Sequence, residues 1–142
     1  MIDRIIKKGK IYAIIIKSDY SKDGIEFFTP DDFSQQLAYM KRPKGYNIKP
    51  HIHMATNKNI NNTQEVLLIK SGKVRVDFYD DKKDYFISKL LSKGDVILLA
   101  FGGHGFEILE EAEIIEVKQG PYDESKDKTR FENVKEDKIK IS

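Results

Sequence analysis

The sequence of 142 residues has no cysteine, which excludes disulfides, a thiolate nucleophile and a zinc–thiolate centre. Any metal ion must then be held by nitrogen and oxygen. Histidine is almost as scarce, with three residues at positions 51, 53 and 104. No long apolar run is present: the stretch from Ile11 to Ile16 is far below the roughly 20 residues that span a bilayer, and the first residues lack the apolar core of a secretion signal. A cytoplasmic protein without membrane contact is the expectation. Charge of one sign is also missing, since 25 Lys and Arg face 23 Asp and Glu, mixed along the chain rather than clustered into a basic face. Nucleic acid is therefore not an expected partner.

What the chain does have is short β-patterned runs. Arg4 to Lys17 is rich in β-branched residues and interrupted at Gly9, which predicts a strand pair. Ile25 to Thr29 reads as a strand, Pro30 to Gln36 as a short helix, Leu37 to Arg42 as a strand and Tyr46 to His53 as another. Met54 to Thr63 is asparagine-rich and reads as a loop, a candidate lid. Strands follow over Glu65 to Lys70, Lys73 to Tyr79, Tyr85 to Leu91, Val96 to Phe101, Phe106 to Leu109 and Glu113 to Lys118, with turn residues between them. Many short strands at regular spacing predict a sandwich or barrel, and the length fits one domain. The charged stretch 123–142 is expected to be a tail that packs through Phe131 at most and frays beyond it.

In an extended strand, residues two apart share a face, so His51 and His53 form a pincer. Glu65 and His104 stand far away in sequence and need the fold to bring them to it. These positions resemble the two motifs of the cupin superfamily: Gly45, His51-x-His53, Glu65 and Gly72 are similar to the first, and Gly94 to His104 to the second. The resemblance spans about residues 45–109. It departs from the usual pattern in the eleven residues between His53 and Glu65, in Ala100 where proline is usual, in the single residue between Gly102 and His104, and in Ile108 where asparagine is usual.

The resemblance implies an all-β, single-domain jelly roll, a double-stranded β-helix over residues 1–122, commonly dimeric. It also implies one divalent metal ion held by His51, His53, Glu65 and His104. Imidazole and carboxylate suit Fe, Mn, Ni, Cu or Zn, and four protein donors leave open positions on an octahedral ion. No catalytic residue is assigned. Lys49 shares parity with the histidine pair and Phe106 with His104. With Tyr46, they are candidates for contact with a small-molecule ligand. The implied function is metal-dependent chemistry on a small molecule: oxygenation, isomerisation or epimerisation, or a lyase reaction. Two alternatives stand beside it. One resembles metal-free sugar-nucleotide enzymes of polysaccharide synthesis, with a histidine base and Tyr46 or Tyr39 as acid; the other is a barrel that binds a small ligand without turnover.

Overall fold

A computed structural model describes residues 1–121, 123, 125 and 129–142. Among the described residues, eight strands make it an all-β domain: β1 (Ile2–Lys7), β2 (Lys10–Ile16), β3 (Gly24–Phe27), β4 (Ala38–Lys41), β5 (Glu65–Tyr79), β6 (Tyr85–Ser92), β7 (Val96–Leu99) and β8 (Gly103–Lys118). Six of them form a curled antiparallel sheet in the order β1-β2-β7-β5-β6, with β8 on the other side of β5, and β3 and β4 form a separate hairpin. The sheet is a partly open half-barrel of jelly-roll character. Among the described residues no helix is long and apolar enough to cross a membrane.

The half-barrel is built on one long ribbon. β5 pairs with β8 from Glu65–Lys118 at one end to Tyr79–Gly103 at the other. On its opposite side, the first part of β5 pairs with β7 and the second part with β6. The sequence predicts one strand on each side of Ser71-Gly72 and one on each side of Glu110-Glu111. The structure instead keeps each strand continuous, because these turn-like residues lie against each other. The ladder passes through them by register shifts between Ile69 and Val74. Bulges bend and twist a ribbon without ending it. At this corner Gly72 takes φ +84°, and a Cβ on it would lie 2.1 Å from the Glu111 carbonyl oxygen.

Burial follows from this bend. The concave side gathers Ile5, Tyr12, Ala13, Ile15, Leu67, Ile69, Val74, Val76, Phe78, Leu91, Ile97 and Leu99 into the main core. On the convex side, Phe28 joins Ile14, Ile16 and Leu98, with Tyr20, Phe33, Leu37 and Tyr39 packed around them. The β3–β4 hairpin and its flanks thus cover the outside of β2 and β7. Coverage on both faces explains why Tyr12 to Ile16 are all buried and why β2 reads as a continuous apolar run rather than an alternating one.

Three expectations are corrected. Pro30 to Gln36 forms no helix, because the Gln36 side-chain amide donates to the carbonyls of Pro30 (2.9 Å) and Phe33 (3.0 Å) and closes a single turn. Tyr46 to His53 forms no strand; nothing pairs with it in the described structure, and an isolated β-patterned segment cannot satisfy its own backbone. The chain end also does not fray. Phe131 packs edge-on against Tyr79 at 5.0 Å, and past it Glu136 makes a two-pronged ion pair with Arg75 (3.0 and 3.1 Å). Ser88 then exchanges backbone bonds with Lys140 (2.8 Å) and Ser142 (3.0 Å). Positions 124 and 126–128 of the expected tail, and Tyr122, lie outside the described residues.

Replacing Gly72 by alanine is expected to cost about 2–4 kcal/mol, the sum of a disfavoured positive φ and a backbone clash at the corner. Gly9→Ala, with φ +74° but nothing within 4 Å of its Cβ, should lose only about 1 kcal/mol. Urea unfolding midpoints measure both, and equal losses would mean that the corner is not where the fold is constrained.

Candidate functional site

Cross-strand partners share a face of the sheet, so Glu65 and Leu67 point the same way as Lys118 and Glu116, opposite them on β8. At the far end of the ribbon, Val76 and Phe78 share a face with Phe106 and His104. Leu67, Val76 and Phe78 belong to the concave core, which makes that face concave at both ends. His104 lies opposite Phe78, thirteen positions along β5 from Glu65 (78 minus 65). A straight strand would hold them roughly 43 Å apart at about 3.3 Å per residue. In the structure His104 Nε2 is 2.7 Å from Glu65 Oε1. The ribbon has folded back until its two ends meet.

The meeting place is a groove of about 1100 Å³. Its floor includes Leu67, Leu99 and Ile114, and its rim includes Asn61, Asn62 and Thr63 from the asparagine-rich loop. Tyr79 and the segment from Thr129 to Asn133 form another wall. The Val134 backbone N–H donates to Tyr79 Oη at 2.9 Å, and Phe131 lies over Gly103, where a Cβ would come within 2.9 Å of its ring. Phe106 lines the groove beside His104, ring to ring at 5.6 Å.

The Glu65 side chain is only 14% exposed and that of His104 29%. Burial pushes the Glu65 carboxyl up, but hydrogen bonds with His104 and Glu116, and the charges of His104 and Lys118, outweigh it and bring the carboxyl down to about 2. Glu116, His104 and Lys118 together hold Glu65 as an anion. Because Nε2–H of His104 is given to this carboxylate, the neutral ring keeps its lone pair on Nδ1.

The remaining sequence candidates lie elsewhere. His51 and His53 are neighbours, with ring centroids 5.2 Å apart, on the exposed irregular stretch that follows β4. His51 Nδ1–H donates to the Lys49 carbonyl at 2.9 Å, which leaves Nε2 as its free nitrogen. Tyr46 is exposed beneath the Arg42 guanidinium, 4.4 Å from the ring centre. The structure thus holds two donor pairs, His51 with His53 and Glu65 with His104. It does not gather them: among the described residues no three of His, Asp and Glu stand together as a metal-holding group. Glu116, Lys118, Tyr79 and the Phe131 wall escaped the sequence reading. The β5–β8 register, a non-local fact, puts Glu116, Lys118 and Tyr79 in the groove, and the docking of the C-terminal segment against Tyr79 brings Phe131 there.

No family model, no curated protein and no solved structure matches the chain.

A depressed carboxyl has a direct consequence for stability. Glu65 ionises more easily in the folded chain than its ordinary value near 4.5 allows, so its contribution is complete above that pH and is lost as pH falls from about 4.5 through about 2. Glu65→Gln should destabilise the protein by about 2 kcal/mol at neutral pH. The gap between parent and variant should close across that acid window. Urea titrations at a series of pH values test it, and a gap that stays constant down to pH 2 would show that the folded carboxyl is not held as an anion.

Proposed function

We propose that this is a small-molecule-binding β-protein whose chemical centre is the Glu65–His104 pair. The observation that carries this reading is the 2.7 Å contact itself, made across a concave groove by residues from opposite ends of a folded ribbon. A carboxylate that accepts Nε2–H fixes the imidazole tautomer and orientation. It also stabilises the imidazolium when Nδ1 takes a proton, the arrangement of a general base. The apolar floor and the amide-rich rim suit a ligand with an apolar body and a few polar groups.

A second reading adds a divalent metal ion, held by His51, His53, Glu65 and His104, in a metal-dependent, cupin-like protein. Two things favour it: the four donors already stand as two close pairs, and the loop that carries the histidine pair contributes Asn61 and Asn62 to the groove rim. The ion would supply a Lewis acid with open positions. The residues as placed do not yet form one donor set, so no step is derived through it.

Titration of isotope-labelled protein with a panel of small carboxylates, polyols and amines, followed by NMR, tests the first reading. Ligands that bind should shift groove resonances of β5 and β8, and His104→Ala and Glu65→Gln should each weaken binding about 10-fold or more, the loss of one buried charge-assisted bond. Binding that maps away from the groove would overturn it. For the second reading, elemental analysis of untagged protein should find one divalent ion per chain, absent from His51→Ala/His53→Ala. A parent that takes up no ion on reconstitution removes the metal.

A further inference from the structure

The β5–β8 ladder ends at Glu65 and Lys118, and the next pair outward, Gln64 and Gln119, is joined through a side chain instead. The Gln64 backbone N–H donates to Gln119 Oε1 at 2.8 Å. The Gln64 residue is only 7% exposed, and its Oε1 accepts the Gln35 backbone N–H at 3.0 Å. That bond fixes which way the carboxamide points, since only its oxygen can accept. Gln64 Nε2 is left as a donor with no acceptor among the described residues. The two amides that flank it are incompletely matched as well: Gln35 Oε1 and Gln119 Nε2 are buried without a protein partner. Folded interiors leave few polar groups in this condition.

Gln64 lines a cavity of about 510 Å³, a size within the range of small-molecule sites. It is not the groove of Glu65 and His104, neither of which lines it, although the two share Asn61, Asn62, Ala100 and Phe101. The β1–β2 turn and the single turn after β3 bound it on the other side, through Lys10 and through Asp32 and Ser34. Lys10 and Asp32 are its only charged residues among those described; they are of opposite sign, and neither has an ion-pair partner there. Lys10 Nζ stands 3.5 Å from the centre of the Phe101 ring, a contact that holds an ammonium at the wall without neutralising it. The remaining polar groups are neutral: Gln64, the Ser34 hydroxyl and the amides of Asn59, Asn61 and Asn62.

We propose that this cavity is a second small-molecule site, and that its ligand is a zwitterion of the amino-acid class with an uncharged polar side chain. The ligand carboxylate pairs with Lys10, its ammonium pairs with Asp32, and its side-chain oxygen accepts from Gln64 Nε2. A ligand of one charge would leave Lys10 or Asp32 unmatched, and an uncharged one would leave both; a zwitterion matches the two without changing the net charge. A flat aromatic ligand fits less well, because Lys10 already covers one face of Phe101. The inference does not rest on the function proposed for the Glu65–His104 pair.

The isotope-labelled full chain is titrated with L-glutamine, L-asparagine and L-serine and followed by NMR. Glycerol, N-acetyl-L-glutamine, which lacks the ammonium, and L-glutaminamide, which lacks the carboxylate, are titrated in parallel. Saturable shifts are expected with at least one of the three amino acids at Lys10, Ile11, Phe33 and Ser34, which line this cavity and not the groove. Each singly charged analogue should bind about 10-fold or more weakly, having lost one charge-assisted bond. Asp32→Asn and Lys10→Met, both at exposed positions, should weaken the amino acid by a similar factor while the urea midpoint stays near that of the parent. The absence of saturable shifts at these residues overturns the proposal, as does binding of glycerol or of a singly charged analogue as tight as that of the amino acid. Shifts at Lys10 and Ser34 report this cavity and shifts at Glu65 and His104 report the groove, so failure of one site is distinguishable from failure of the other.

Discussion

The structure depends on one constraint: β5 and β8 must stay hydrogen-bonded to each other while folding back through almost their whole length. A ladder of this kind cannot be broken at the bend, because every backbone group freed inside a packed core loses a hydrogen bond it cannot replace there. The chain meets the requirement with register shifts that leave a few residues unpaired at the corner, and with one glycine, Gly72, where β8 backbone fills the place of a side chain. Beside Gly72 the Glu111 carbonyl stands where any side chain would have to be. From this bend follow the curled sheet, the core between its halves, and the approach of Glu65 to His104.

The same bend explains which parts of the protein were legible in the sequence. Glu65 and His104 were singled out because imidazole and carboxylate are chemically informative wherever they occur, and the structure brings those two together. Turn chemistry was misread at Ser71-Gly72 and Glu110-Glu111, since a glycine or a charged pair that ends a strand looks the same in sequence as one that bends it. Glu116 and Lys118 could not have been found by inspection. Their place depends on which residue of β5 each one faces, and the register is set by contacts more than forty positions apart in the chain. Tyr46 to His53 shows the converse: a strand pattern is necessary for a strand, but a partner edge is what makes one.

The C-terminal segment was misjudged for a different reason. Its composition is that of a solvated tail, with no residue buried in the final 3₁₀ turn Glu136–Lys138. Its anchorage is electrostatic. Arg75 and Asp77 stand two apart on the convex face of β5, joined by two bonds of 2.8 and 3.0 Å and almost entirely buried. Ser88 and Glu136 complete their hydrogen bonding. Burying an arginine and an aspartate is costly unless every donor and acceptor is matched. The arriving segment supplies that match at Glu136 and then pairs with β6, so its position is set by the body of the protein rather than by its own apolar content. Hydrophobicity along the chain cannot reveal such a dock, because the charges that recruit it lie sixty residues earlier.

These two long-range devices act on the same groove from opposite sides. The ribbon sets its floor and brings Glu65 and His104 together; the docked segment, through Phe131 against Tyr79, sets one wall. The walls differ in how firmly they are held. The floor is continuous with the main core, whereas the wall formed by 129–134 rests on a partly exposed ring, one backbone bond to Tyr79 and ion pairs further along. A groove whose floor is continuous with the core and whose wall is separately anchored can admit a ligand without disturbing the Glu65–His104 geometry. The position of the Glu65–His104 pair on the ribbon, and not on the loops around it, is therefore what allows the surrounding segments to move without separating the two side chains.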